Sequence, residues 1–363
     1  MDETFEYVFP AIRGVQAGRE YYVSMCPLKL LPKLFIFNEE ELAPEFRAQR
    51  RLNRARIPRM ARYVLENLES YAFSAITASI DGDTRFEPST NGGHDALGKL
   101  HVGMTARFVI NDGQHRRAAI ERAMTEEPAL SDEAIAVVFY RDQGLERCQQ
   151  LFADLNRYAI RPTKSLGLLY DHRDWLAQMV KDVVLENDLF RDLVEMEKST
   201  LSLRSRKLFT LSALYGATAS LLVNLPDRSS DDWTDLVNRF WSRVADEVPE
   251  WRLVRARKMS AAEVRRDFIV SHGIALQSIG RAGNALIRKH PSDWETMLRS
   301  LRSIDWSRSN ARLWEGRAMS GGRVSKAGNN ITLTTNVVKE ALGIDLTPEE
   351  LRVEEAYKRG EFN

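Results

Sequence analysis

Apolar and polar positions follow two different patterns along this chain, and the change comes near residue 165. Before that point, short apolar runs alternate with polar turns, which is typical of β-strands. The strand-like runs are 21–25, 34–37, 73–80, 104–110 and 134–140. Amphipathic periodicity predicts helices at 47–68, in two pieces, at 114–124 and at 145–158. Pro58 suits the first turn of the second piece of the 47–68 segment.

After about residue 165 the strand signals nearly vanish and long helical periodicities replace them. The helical segments are 174–186, 208–223, 231–247, 261–289, 294–304 and 336–342, and Thr347-Pro348-Glu349-Glu350 opens a last one. The chain is therefore predicted to be an α+β protein of two domains. A domain with a small mixed sheet is expected at 1–165, followed by a mainly helical domain at 166–363.

Composition describes an ordinary globular protein, with 363 residues, 44% apolar and 28% charged. The formal net charge is +1, so a nucleic-acid partner must be inferred from local clusters rather than from total charge. Cys26 and Cys148 have no CxxC spacing, which argues against a zinc site and a disulfide framework. The acidic first residues lack the pattern of a signal peptide and no apolar run reaches membrane-span length, so a cytoplasmic protein is expected.

Cys26 has two interpretations. It precedes Pro27 and lies near Lys29 and Lys33, whose positive charges would lower the pKa of the thiol and make it redox-sensitive. The alternative, which the residue type favours, is a buried and unreactive thiol. The histidines outside the segment discussed next show no metal-ligand spacing and are interpreted as structural or surface residues.

The segment with the clearest chemistry is Asp112-Gly113-Gln114-His115-Arg116-Arg117-Ala118-Ala119, between a predicted strand and a predicted helix. A glycine allows close approach of a ligand to the backbone, and the helix N-terminus attracts anions. Asp112 can cap the helix or can instead hold a divalent cation that bridges phosphates, while His115 and Arg116 can donate to phosphate oxygens. The alternative is a capped helix start with a surface histidine and arginine, and residue types alone do not decide between the two.

Clusters of cations provide three candidate DNA-contacting segments. The first has seven arginines within sixteen residues and no acid among them: Arg47, Arg50, Arg51, Arg54, Arg56, Arg59 and Arg62. The second is Arg204, Arg206 and Lys207, and the third is Arg252, Arg255, Arg257 and Lys258, followed by Arg265 and Arg266. Contacts with the DNA backbone are expected, since the spacing has no base-reading pattern. A solvated helix face is the alternative for each.

The strand, the sequence Asp112-Gly113-Gln114-His115-Arg116 and the helix together resemble the signature of the DGQHR-domain family of DNA sulfur modification proteins. The arginine-rich segment, the stretch 152–157 and the helical C-terminal half resemble that family more loosely. The same turn is similar to the phosphate loops of ParB-type proteins and of sulfiredoxin. Gln114 stands where sulfiredoxin has its catalytic cysteine, so sulfiredoxin chemistry is not implied. Gln114 and His115 stand where ParB-type proteins have Glu and Arg.

The resemblance implies a ParB/sulfiredoxin-like N-terminal domain and a transcriptional autorepressor of a DNA phosphorothioation gene cluster. Its partners would be double-stranded DNA of its own promoter and the phosphorothioation enzymes. ATP or another nucleotide, with Mg²⁺, would bind at the loop and modulate DNA affinity, whereas zinc, haem and flavin are not implied. The residues expected at the nucleotide are Asp112, Gly113, Gln114, His115, Arg116, Arg117 and Asn156.

Two other functions stay open at this point. The first is a nucleotide hydrolase or phosphotransferase on a ParB-like scaffold, with weak nucleoside triphosphatase activity. In that case Asp112 would hold the cation, and His115 and Arg116 would stabilise transition-state charge, although no general base can be assigned. The second is a scaffold that docks the modification enzymes without touching DNA. The sequence shows neither the operator nor the oligomeric state.

Overall fold

The computed structural model of the chain describes residues 5–35, 52–89, 96–141, 144–157 and 162–361. The residues form two compact units, 1–160 and 161–363. The first contains a mixed seven-stranded sheet and the second is mainly helical, which confirms the predicted α+β class. No helix in the described ranges has both the length and the apolar character needed to cross a membrane.

One sheet organises the first unit. Its strands are β1 (Glu6–Gln16), β2 (Arg19–Pro27), β3 (Ile76–Asp81), β4 (Thr84–Pro88), β5 (Leu97–Gly103), β6 (Arg107–Asp112) and β7 (Ala134–Arg141). They lie in the order β4-β5-β1-β2-β7-β3-β6, in which only β3 and β7 are parallel neighbours. Alternation along β7 buries Ile135, Val137 and Phe139, and Phe139 packs against Phe9 and Phe108 in an aromatic cluster.

The helices of the first unit are α1 (Leu31–Leu34), α2 (Ile57–Leu65), α3 (Gln114–Glu126) and α4 (Leu145–Arg157). Pro58 lies in the first turn of α2, as predicted, and Ala61 and Val64 form its buried stripe. Leu68 was expected in that stripe but is 41% exposed because the helix ends at Leu65. The strand predicted at 34–37 is wrong at its start, since Pro32 initiates a helix that runs to Leu34. Residues 36 and 37 lie outside the described residues.

The second unit contains helices throughout its length. They are α5 (Lys164–Tyr170), α6 (Trp175–Glu186), α7 (Leu211–Leu222), α8 (Ser230–Glu247), α9 (Pro249–Arg255), α10 (Ala261–Asp267), α11 (Gly273–Lys289), α12 (Trp294–Met297), α13 (Ala311–Trp314), α14 (Gly328–Ala341) and α15 (Pro348–Lys358). Two short sheets accompany them, β8 (Val194–Glu195) with β9 (Phe209–Thr210) and β10 (Met319–Ser320) with β11 (Arg323–Val324). The buried tryptophans of its core include Trp241, Trp251, Trp306 and Trp314, whereas Trp175 is 57% exposed.

Three helix predictions in this unit need correction. The expected helix 261–289 is interrupted, because Phe268 is extended and the N–H of Ile269 donates to the carbonyl of Trp306. The expected helix 294–304 continues after α12 as a 3₁₀ helix, Leu298–Ser303. The helix expected at 336–342 begins eight residues earlier, at Gly328, and buries polar residues such as Asn336 that hide its periodicity.

Candidate functional site

The loop between β6 and α3, here called the DGQHR loop (112–116), is built around the backbone of Gly113. Gly113 is the N-cap of α3 with φ 113° and ψ 8°, a conformation that side chains with a Cβ rarely adopt. A Cβ at this position would lie 3.0 Å from Cγ1 of Ile76 and 3.1 Å from Nη2 of Arg116. The glycine is therefore required both for its conformation and for the close approach of the Arg116 side chain.

Asp112 and Arg116 form an ion pair within this loop. Nη2 of Arg116 donates to Oδ2 of Asp112 at 2.7 Å, and its Nη1 donates to Oγ of Ser74. The predicted helix cap by Asp112 is wrong, since Gly113 is the N-cap and the carboxylate turns to Arg116 instead. Nε of Arg116 is buried and has no hydrogen-bond acceptor among the described residues. The guanidinium group thus folds over Gly113 and is held by the protein's own groups.

The other polar side chains of the motif also bind the protein itself. Gln114 is buried and donates from Nε2 to the carbonyl of Ile110 at 3.2 Å. Nε2 of His115 accepts from the backbone N–H of Asn53 at 3.0 Å, which requires a neutral ring with its proton on Nδ1. Nη1 of Arg117 donates to Oε2 of Glu121 at 2.7 Å. The motif therefore links β6, α3 and the residues that precede α2.

Asn156 was expected at the same loop. It is exposed near the end of α4, and its Nδ2 donates to the carbonyl of Phe152 at 2.8 Å, within its own helix. This bond gives Asn156 a local role and does not bring its side chain to Asp112.

The arginine segment, residues 54–62, follows directly on the His115 contact. Oδ1 of Asn53 accepts from the N–H of Ala55 at 3.2 Å and caps a 3₁₀ turn, Arg54–Arg56, that leads into α2. The four arginines of the segment are exposed: Arg54, Arg56, Arg59 and Arg62. No carboxylate in the described part of the chain pairs with the last three of them. Arg47, Arg50 and Arg51 lie outside the described residues.

In the second unit, the fold brings together two basic clusters that are about fifty residues apart in sequence. A cavity of about 900 Å³ is lined by the cationic side chains of Arg204, Arg206, Arg255, Arg257 and Lys258, which we call the basic groove. These five residues are exposed. Three acids also line it, Asp188, Asp192 and Glu263, and Asp188 lies 3.7 Å from Nη2 of Arg255.

A partly buried arginine positions the loop that carries Arg204 and Arg206. The guanidinium group of Arg265 donates to the carbonyls of Ser202 at 2.9 Å, Ser205 at 3.1 Å and Lys207. Burial lowers the pKa of Arg265. Nζ of Lys207 donates to the carbonyl of Asp192 at 2.9 Å. Arg265 and Lys207 therefore hold the loop, whereas Arg204 and Arg206 are presented to solvent.

Arg257 occupies an unusual backbone position at the end of α9. Its φ is +57°, the left-handed region in which glycine is preferred. The N–H of Arg257 donates to the carbonyl of Val254 at 3.0 Å and that of Lys258 to Leu253 at 2.9 Å, which closes the helix. A side chain in this conformation costs about 1 kcal/mol relative to glycine. The chain adopts this conformation despite its cost, and Arg257 lines the basic groove as a result.

Sequence reasoning missed a smaller cavity in the first unit. Arg19, Arg141 and Arg147 line a space of about 320 Å³ together with Ser79. Oγ of Ser79 donates to Oδ1 of Asn111 at 2.9 Å, and Nδ2 of Asn111 is buried without an acceptor among the described residues. No pattern in the sequence could have found this cluster, because its arginines come from three separate segments.

Cys26 is fully buried in β2, and burial raises the pKa of its thiol to about 11. A thiol with such a pKa is almost entirely protonated at neutral pH and therefore a poor nucleophile. Of the two interpretations given above, the structure supports the buried, unreactive thiol.

A comparison with known proteins assigns the chain to a family. The family model described as DndB, DNA-sulfur modification-associated, matches residues 9–345. No curated protein has a significant match to the chain. No solved structure has a significant match either, so the resemblance of the loop to ParB-type proteins stays a prediction.

Proposed function

Because the chain belongs to the DndB family of DNA-sulfur modification-associated proteins, we propose that it is a DNA-binding repressor of its own phosphorothioation gene cluster. The observation that carries this proposal is the basic groove. Five exposed cations from two distant segments line one cavity of a chain whose formal net charge is only +1. Such a local concentration of positive charge is the electrostatic feature that a DNA backbone requires.

The groove is suited to phosphate contacts rather than to reading bases. Arg204 and Arg206 lie on a loop whose backbone carbonyls are held by Arg265, so the backbone of this loop loses little conformational freedom on binding. Guanidinium groups bind phosphate oxygens through two parallel hydrogen bonds. Affinity dominated by such contacts falls steeply with salt concentration.

The test uses the full chain, a duplex from the region upstream of its own gene, and fluorescence anisotropy across a salt series. In the double variant Arg204→Ala/Arg206→Ala we expect affinity to fall about tenfold or more, and the salt slope to fall by about 2. Arg299→Ala is the matched control, since Arg299 is an exposed arginine of the same unit outside the groove. An unchanged affinity and slope in the double variant would exclude the groove as the DNA surface.

The arginine segment is the second surface proposed to contact DNA. Arg56, Arg59 and Arg62 are exposed and unpaired within the described ranges, and the basic character continues into Arg47, Arg50 and Arg51 of the sequence. Arg59→Ala/Arg62→Ala is expected to weaken DNA binding about equally for all sequences and to lower the salt slope by about 2. A loss confined to one duplex sequence would instead indicate base recognition.

Nucleotide binding at the DGQHR loop remains part of the proposal. The Arg116 side chain lies over Gly113, so phosphate binding there requires the Arg116–Asp112 pair to open. Asp112, the expected Mg²⁺ ligand, would be released in the same step. Equilibrium dialysis with ATP and Mg²⁺ is expected to show weaker binding for Arg116→Ala, and wild-type affinity in that variant would refute the assignment. Phosphate release in the same samples tests the hydrolase interpretation.

A further inference from the structure

A second cavity in the helical unit, of about 550 Å³, has a lining rich in positive charge. Its five cations come from four places in the sequence: Lys164, Arg265 with Arg266, Arg308 and Lys326. Among the described residues that line it there is no aspartate or glutamate. The volume lies within the range of about 300–1,000 Å³ that small-ligand sites occupy. We call this space the lysine pocket.

The positive charge of the lysine pocket is only partly compensated. Arg266 is neutralised by Asp267, with two contacts of 2.8 and 2.7 Å, while Arg308 donates to backbone carbonyls. Lys164 and Lys326 make no ion pair in the part of the chain that the structure describes. Partial burial lowers the pKa of Lys326, and the neighbouring charge of Lys164 lowers it further. Two ammonium groups therefore repel each other at one site, which an anion would relieve.

Neutral groups complete the lining. Ser199, Thr200 and Ser212 provide hydroxyl groups, and Gly273 brings the first turn of α11 to the wall. Nζ of Lys326 lies near this turn, 3.7 Å from where a Cβ of Gly273 would be. Apolar side chains form much of the remaining lining: Leu201, Leu203, Leu208, Phe209, Ala213 and Ala262, beside Thr210, Ser271 and His272. A cationic region beside an apolar wall suits an anion that carries an organic body.

We propose that the lysine pocket binds a small phosphorylated molecule of mononucleotide size. Lys164 and Lys326 contact the phosphate through charge-assisted hydrogen bonds, and the hydroxyl groups donate to its remaining oxygens. The organic body packs against Leu201 and Leu203.

The pocket and the basic groove share one segment of chain, 199–208. Leu201 and Leu203 line the pocket, whereas Arg204 and Arg206 line the groove. A ligand that contacts this segment favours one position of it and so changes DNA affinity, a consequence that rests on the proposed function. The binding site itself does not depend on that function.

The experiment titrates AMP, and inorganic phosphate in a parallel series, into the full chain by isothermal calorimetry. We expect saturable binding of AMP to the wild type and a loss of about tenfold or more in Lys164→Met/Lys326→Met, equivalent to about 1.4 kcal/mol. Methionine keeps the length of the side chain and removes its charge. Lys358→Met, an exposed lysine of the same unit, is expected to bind as the wild type does. Arg116→Ala is measured in parallel, so that binding at the DGQHR loop can be told apart from binding at the lysine pocket. Circular dichroism and thermal melts verify that each variant is folded.

Two results would overturn the proposal. One is the absence of saturable AMP binding to the folded wild type. The other is a loss of binding in Arg116→Ala with none in the lysine double variant, which would place the ligand at the DGQHR loop. A failure of the DNA-binding proposal can be distinguished from these results, because the anisotropy assay would then show no binding to the promoter. If AMP binds but does not change promoter affinity, the binding site is supported and its proposed coupling to DNA binding is refuted.

Discussion

The DGQHR loop of the first unit and the lysine pocket of the second both carry cations that suit phosphate, but the two lysines of the pocket lack the acid partners that the arginines at the loop have within the described residues. Arg116 binds Asp112 four residues away, and Arg117 binds Glu121 at the same spacing. Lys164 and Lys326 have no such partner within the described residues. The motif that can be recognised in the sequence therefore pairs its arginines with acids only four residues away. The lysines without an acid partner come from distant segments that the fold brings together.

This contrast has a physical origin in helix geometry. Residues four apart on a helix are neighbours, so an acid and a base at that spacing pair at little entropic cost. Lys164 is the first residue of α5 and Lys326 lies just before α14, and no acid is among the described residues that line the pocket with them. Unpaired cations of this kind indicate binding more strongly than paired ones do.

The largest expected effect concerns the rigidity of the loop. Gly113→Ala combines a φ of 113° with a Cβ 3.0 Å from Ile76, so we expect unfolding free energy to fall by about 2–3 kcal/mol. Urea unfolding measures it. Gly18→Ala is the matched control, because Gly18 also has a positive φ, 72°, but nothing within 4 Å of its Cβ position. Equal losses in both variants would show that the loop has no special packing constraint.

Some elements of the loop and of the fold could be predicted from sequence, and the reasons are local. The start of α3 at Gln114, the place of Pro58 and the capping box of Thr347 and Glu350 all depend on nearby residues. The cap by Asp112 was wrong because a carboxylate at this position has two partners within reach, the first-turn amides and Arg116. The choice between these two partners depends on the folded geometry and not on the residue types.

Tertiary arrangement explains the remaining failures. β1 was missed because Val8, Ile12 and Val15 are exposed apolar residues, so the strand has no clean alternation. The basic clusters near 204 and 257 were identified separately, and only the fold joins them in one groove. The lysine pocket draws on residues more than 160 positions apart, for which no sequence spacing gives a signal.

The next largest expected effect tests whether the Arg116–Asp112 pair opposes phosphate binding at the DGQHR loop. Asp112→Asn removes the charge that holds Arg116, and we expect ATP affinity in equilibrium dialysis without Mg²⁺ to rise by about threefold to tenfold. With Mg²⁺ the gain is expected to be lost, because the variant also lacks the expected ligand of the cation. An unchanged affinity without Mg²⁺ would show that the Arg116–Asp112 pair does not oppose phosphate binding. Stability is expected to change by only about 0.5 kcal/mol, since the carboxylate is half exposed. Asp132→Asn, at an exposed ion pair of the same unit, is the control.

A smaller effect is expected at the basic groove, where an unpaired cation is kept at a conformational cost. Arg257→Gly removes the strain of φ +57° and should raise the unfolding free energy by about 0.5–1 kcal/mol. The same variant should weaken DNA binding about threefold and lower the salt slope by about 1. Thermal melts and anisotropy measure the two effects. Gain of stability without loss of affinity would show that Arg257 does not contact DNA.

The smallest effect is a pH dependence at the lysine pocket, and its sign differs between stability and binding. Partial burial and the charges of Lys164 and Arg281 lower the pKa of Lys326 in the folded state. Between that pKa and the ordinary lysine value the unfolded chain binds more protons, so stability without ligand rises as pH increases. Phosphate binding needs the charged ammonium, so the stabilisation that AMP adds falls over the same window. Melting curves with and without AMP should therefore converge at high pH in the wild type, while Lys326→Met should show neither trend. A constant AMP-induced shift across this pH range would show that Lys326 does not contribute its charge to the ligand.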